Sequence, residues 1–130
     1  MRVLLDTHVW LWMQVEPERF SRDTTEEILL DSTVDLLLSA ASSWEIAIQH
    51  ALGKLELPLA PTEYVPSRMA SSGVLGLPIE HAHALHVASL PPHHTDPFDR
   101  LLVAQAQLES LPILTADAQL AAYDVQLLQP

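Results

Sequence analysis

What constrains this chain most is an alternation that runs its whole length. Short apolar runs of strand character, such as RVLLD, DLLLS and PIL, each give way to a longer stretch with helical spacing. A run that stays apolar over several residues suits a strand buried on both faces, as in a parallel sheet covered by helices. Parallel neighbours need crossover connections, and the helical stretches supply them. Strands are expected at residues 2–6, 35–39, 74–78, 112–114 and 125–128, with helices at 8–14, 21–30, 42–52, 62–71, 80–88, 97–109 and 116–123. Ser21 is the expected cap of the second helix, with Ile28 and Leu29 turned inward. Gly53 is expected to end the third helix, whose inner side would carry Trp44, Ala47, Ile48 and Ala51. No repeat, low-complexity tract or linker divides residues 1–130, so a single α/β domain with a mainly parallel sheet is expected.

Composition bounds the rest. The N-terminal MRVLLDTHVWLW is apolar, but Asp6 interrupts it and no small-residue cleavage site follows, so it reads as mature sequence. No apolar run approaches the roughly 20 residues that cross a bilayer. Cysteine is absent, which removes disulfides and thiolate chemistry and fits a reducing, cytoplasmic setting. Six basic residues face 17 acidic ones, a formal charge of −11. Such a surface repels a polyanion at long range and attracts a basic protein partner. A nucleic-acid substrate would need bound cations or a few local basic groups to offset that field.

Open parallel sheets present their functional groups beyond the carboxyl ends of the strands. Asp6 follows Val3-Leu4-Leu5, Glu45 opens the helix after the second strand, Asp99 lies in the first turn of the Pro97 helix, and Asp117 follows Ile113-Leu114-Thr115. Four acids distant in sequence are thus expected to project toward one end of one sheet. Each has a structural reading as well. Glu45 fits a capping box with Ser42, Asp99 and Asp117 favour a helix dipole, and Asp96 fits an N-cap ahead of Pro97. Asp6 is harder to explain that way, because a buried carboxylate needs a partner. Asp99 also heads the apolar stripe Leu102, Val103 and Ala106, and Glu45 heads Ile48 and Leu52, which turns both acids toward the protein. Two carboxylates 4 Å apart repel by about 4 kcal/mol at an effective dielectric of 20. A hard divalent cation with oxygen ligands relieves that repulsion.

The segments LLDTHVWLW, SAASSWEIAIQHALGKLEL, LPPHHTDPFDRLLVAQAQ and ILTADAQL resemble PIN-domain proteins, and closely the VapC-type toxins of prokaryotic toxin–antitoxin pairs. The resemblance runs in order along nearly the whole chain. It implies a PIN-like three-layer α/β/α fold, a metal-dependent endoribonuclease, and Mg²⁺ or Mn²⁺ held by the acidic quartet Asp6, Glu45, Asp99 and Asp117. It also implies a homodimer restrained by a cognate VapB-like antitoxin. Relatives often carry Lys where Gln49 stands and Arg where Thr95 stands, so this chain has less local positive charge. Arg100 is then the expected phosphate contact, or a partner for one of the acids. Thr7 and Thr115 are expected to orient ligands or substrate, or to cap helices.

Other features invite separate readings. Glu80, His83 and His86 recur at helical spacing, but without an HExxH-type pattern a solvated helix face is expected rather than a zinc site. His8 and His94 lie near the acids in sequence. Trp10, Trp12 and Trp44 could stack bases, although core packing is the expectation for at least two. A PIN-type RNA-processing nuclease without an antitoxin, or a partner-binding PIN domain without catalysis, remains an alternative. A Mg-dependent phosphotransfer domain would need adjacent acids after the first strand and a nearby lysine, whereas Thr7 and His8 follow Asp6 and Lys54 is the only lysine.

Overall fold

The computed structural model describes Met1–Pro130. Its elements follow the order β1 (Arg2–Leu5), α1 (Thr7–Val15), α2 (Arg22–Thr24, widening into a π turn over Thr25–Leu29), β2 (Asp35–Ser39), α3 (Ala40–Ala51), α4 (Pro61–Ser72), β3 (Leu75–Leu77), α5 (His81–His86), α6 (Pro97–Glu109), β4 (Ile113–Leu114) and β5 (Leu127–Leu128). The five strands form one sheet in the order β3-β2-β1-β4-β5, and every pairing is parallel. β1 therefore lies in the middle, with β2 and β3 on one side and β4 and β5 on the other. That reversal of strand order opens a crevice at the carboxyl end of β1.

Side chains alternate across the sheet with the period of two that a strand imposes. Val3, Leu5, Leu36, Leu38 and Leu114 pack with Val9 and Trp10 of α1 and with Tyr64 and Val65 of α4. Leu4, Leu37 and Ile113 face the other way, against Leu102, Val103 and Ala106 of α6. Both faces are covered, giving three layers. Each fully buried Leu or Val contributes about 1.5–3 kcal/mol, so these two layers dominate the stabilisation. Trp10 is the largest fully buried side chain, edge-on to Tyr64 at 6.3 Å, and its indole N–H has no partner.

The helix ends follow local chemistry. Ser21 caps α2, its Oγ accepting the Thr24 N–H at 3.1 Å, while Ile28 and Leu29 pack against the core only partly buried. Pro61 starts α4, and Gly73 ends it in the left-handed region at φ 69°, where a side chain is strained. Three sequence expectations need correction. α3 begins at Ala40, because Ser39 caps it by accepting the Ala41 N–H at 3.0 Å. Its buried side is Ala41, Ser42 and Ile46; Trp44 is 57% exposed, and Ala47 and Ala51 are exposed too. The expected last helix is a 3₁₀ turn over Ala118–Ala122. No helix is long and apolar enough to cross a membrane.

Candidate metal centre

The crevice at the end of β1 collects acids from four separate segments. Asp6 leaves β1 as the residue before α1, 6% exposed, and its Oδ2 accepts the Thr115 hydroxyl at 2.6 Å. That hydroxyl also accepts the Asp117 N–H at 3.0 Å. Thr115 thus ties the end of β1 to the turn after β4, and orients Asp6 while it caps the turn. Asp117 itself caps the 3₁₀ turn, Oδ1 accepting the Gln119 N–H at 2.9 Å and leaving Oδ2 free to face the crevice.

Glu45 reaches the same crevice from the second turn of α3, not the first, since the helix starts earlier than its sequence suggests. The Ser42–Glu45 capping box is therefore not formed. Ser42 is buried, and its Oγ takes the Thr7 hydroxyl at 2.8 Å, locking α1 to α3. The exposure of Leu52 also removes the lower part of the apolar stripe expected beneath Glu45. Burial pushes the Glu45 carboxyl above its ordinary pKa; Thr7 and His8 oppose the rise, while the charges of Asp96 and Asp6 add to it.

Asp99 arrives on α6. Asp96 caps this helix, its Oδ1 accepting the Phe98 and Asp99 N–H groups at 2.8 and 3.2 Å. Pro97 occupies the first helical position, where no backbone donor is needed. Burial raises the Asp99 pKa to about 7, with the charges of Asp96, Asp6 and Glu45 adding to the rise and His94 opposing it. The charges of Asp6, Glu45 and Asp96 thus all act on Asp99. These acids lie toward the same end of the sheet, and Asp117 comes together with Asp99 at His94.

His94, near the acids in sequence, joins two of them in space. Its Nε2 lies 3.4 Å from Asp99 Oδ2 and 3.4 Å from Asp117 Oδ2. Ligand atoms of His94, Asp99 and Asp117 all lie within 4.8 Å of one another. His94 Nδ1 accepts the Asp96 N–H at 3.1 Å, which places the neutral ring's proton on Nε2, aimed between the two carboxylates. In this tautomer His94 bridges the two acids.

Arg100 is held by groups of the protein itself. Its guanidinium donates to the carbonyls of Val87, Leu90, Pro91 and His94 and to the Tyr123 hydroxyl, so it binds the 87–94 loop to α6. It pairs with no carboxylate. The histidine-rich helix also differs from expectation, because His83 is buried, not solvated. Its Nδ1 accepts the Glu80 N–H at 2.9 Å, and its Nε2 lies 2.8 Å from Glu109 Oε1. His86 Nε2 meets Gln107 Oε1 at 2.7 Å. These are contacts between α5 and α6, with no shared metal position. Of the tryptophans, Trp10 is core, Trp12 packs partly buried beneath Arg19, and Trp44 stands exposed against Phe98, ring centroids 5.0 Å apart.

Comparison with known proteins agrees with this architecture. Ribonuclease VapC16 of Mycobacterium tuberculosis is 48% identical to this chain over 62 residues, a match that covers 48% of this chain and 44% of that protein. The matched stretch thus spans under half of that relative's length. Among solved structures, VapBC2 from Rickettsia felis bound to a promoter DNA fragment superposes with a TM-score of 0.73 at 14% identity, covering 99% of this chain and 98% of that one. FitAcB from Neisseria gonorrhoeae superposes with a TM-score of 0.63 at 23% identity, covering 98% of this chain and 96% of that one. VapBC-1 from nontypeable Haemophilus influenzae gives 0.64 at 16% identity, with 99% and 98% covered. At such identities these structures establish the fold. The PIN domain family model matches residues 3–126, and the chain belongs to that family.

Proposed function

We propose that residues 1–130 act as one PIN-type unit: a metal-dependent endoribonuclease of the toxin class that hydrolyses RNA phosphodiester bonds and is restrained by a cognate VapB-like antitoxin. The observation that carries this reading is the crevice itself, where burial, with the charges of Asp96, Asp6 and Glu45 adding to it, raises Asp99 to about pKa 7, and where Asp117 from the turn after β4 meets Asp99 and His94. The donor set of Asp6, Glu45, Asp99 and Asp117 is all oxygen, which suits Mg²⁺ or Mn²⁺ over softer metals. A bound divalent cation supplies activation of water and stabilisation of charge for in-line attack at phosphorus.

The chain's own residues prepare that reaction. Thr115 fixes one carboxylate oxygen of Asp6, so that the other faces the crevice. The Thr7–Ser42 hydrogen bond holds the helix carrying Glu45 against the one that follows Asp6. His94 spans Asp99 and Asp117 and keeps them in register. The named relative supports RNA as the substrate, being called a ribonuclease. The antitoxin reading rests on solved neighbours that are VapBC complexes and on one described as a toxin–antitoxin complex from Klebsiella pneumoniae. A homodimer in the cytoplasm completes the proposal.

Incubating the protein with a mixed RNA pool in Mg²⁺, in Mn²⁺ and in EDTA tests it. Cleavage is expected only with the ions, and Asp6→Asn is expected to remove it. Equal cleavage in EDTA, or by the folded Asp6→Asn protein, defeats the proposal.

A further inference from the structure

A protein of formal charge −11 that grips RNA must place whatever positive charge it has with care. Its five arginines are nearly all committed. Arg19 pairs with Glu16 and lies over Trp12, and Arg22 pairs with Glu26. Arg68 donates to Gln14, and Arg100 is spent on loop carbonyls. Arg2 begins β1, at the end of the strand opposite Asp6. The one lysine, Lys54, makes no ion pair and lines a cavity of about 380 Å³ between α1 and α3. Thr7, His8, Leu11, Glu45 and Gln49 line it with Lys54. Glu45 lines this cavity and is also influenced by the charges of Asp96 and Asp6, so the cavity adjoins the acidic crevice.

The cavity is of the size that holds a small ligand, and it combines an apolar wall with convergent polar groups. Leu11 offers the wall, the Gln49 amide offers both a donor and an acceptor, and Lys54 offers a positive charge. We propose that it seats one nucleotide of the RNA strand beside the bond that is cut, with the base over Leu11 and Gln49 and the phosphate at Lys54. The idea rests on the RNA-cleaving reading and adds the direction in which the strand leaves the acids: along the α1–α3 groove, toward the chain's one unpaired lysine.

Steady-state cleavage of a single-stranded RNA across a range of KCl concentrations tests it, with wild type, Lys54→Gln and Lys54→Arg compared. Lys54 is exposed, so both variants are expected to melt and to bind Mn²⁺ like wild type. Lys54→Gln is expected to raise KM roughly 3–10-fold with kcat unchanged, and to flatten the slope of log(kcat/KM) against log[salt] by about 0.7, the loss of one single-strand phosphate contact. Lys54→Arg is expected to restore both. If wild type cleaves RNA while Lys54→Gln keeps its KM and salt slope, the nucleotide seat is overturned and the nuclease reading stands. That is also the result if the cavity takes an acidic protein segment. If wild type cleaves no RNA in Mn²⁺, both fall.

Discussion

Two polar clusters lie within the same small fold, and they are built on opposite principles. Where α5 meets α6, His83, Glu80, Glu109, His86 and Gln107 form complementary pairs, each acceptor meeting a donor. At the end of β1, the charges of Asp6, Glu45 and Asp96 act on Asp99, and Asp117 meets Asp99 at the imidazole of His94. The first cluster lowers the free energy of the chain as it stands. The second raises it, since burial and like charge push protons back onto Asp99 and Glu45. A fold keeps such a conflict where a cation can resolve it, and frustration, more than acidity alone, distinguishes a working site from a structural one.

The contrast is sharpened most by removing one member from each cluster. Asp99→Asn is expected to lower RNA cleavage in Mn²⁺ by more than about 100-fold, beyond the 10–100-fold typical of residues that merely support ligands. The same variant, free of metal, is expected to melt at or above the wild-type temperature at pH 8, because a repulsive charge has gone. A drop in melting temperature there would show that Asp99 is a structural acid. Thr115→Val, which frees Asp6 Oδ2 and the Asp117 N–H, is expected to weaken Mn²⁺ binding about 10–100-fold by calorimetry. Undiminished affinity would show that Asp6 needs no anchor.

His83→Ala should behave in the reverse manner. It leaves the Glu80 N–H and Glu109 without a partner, at a cost of about 1–3 kcal/mol in denaturant unfolding, while cleavage per folded molecule stays at the wild-type level. Lost activity at full folding would tie the two clusters together. A separate test concerns pH. Asp99 ionises near pH 7 in the folded protein and near 3.8 in the unfolded chain. Between those values the folded state holds the extra proton, so metal-free stability falls as pH rises from about 4 to 7. An ion takes the ionised form, so Mn²⁺ affinity is expected to rise by up to about tenfold per unit on approaching pH 7 and to level off above it, with proton release on binding. Affinity that is flat from pH 5.5 to 8 would show that Asp99 is already charged.

Much of this was legible in the sequence for a physical reason. β2 was readable at both ends because DLLLS is a short apolar run bounded by polar residues, and Asp96-Pro97 announces the start of α6 by its own chemistry. The strand-end rule points to acids whose charges act on one another in the fold. α3 was misplaced by a fraction of a turn because two serines could cap it, and only the tertiary setting selects Ser39 over Ser42. Its inner face was misread with it, since Trp44 packs on Phe98 at the surface. Arg100 is beyond reach for a different reason, since its partners are the carbonyls of the 87–94 loop and the Tyr123 hydroxyl. His94 is visible in the sequence as a neighbour of the acids, but its place between Asp99 and Asp117 depends on the fold.

The strand order has a consequence for how the protein folds. β1 and one of its two neighbours, β4, lie more than a hundred residues apart in the chain, and the segment after β4 carries the hydroxyl that anchors Asp6. Until β4 pairs with β1, the candidate crevice lacks both Thr115 and Asp117. Pairings between segments so distant in sequence close the longest loops, so the candidate site is assembled late in folding, after the shorter-range pairing of β1 with β2.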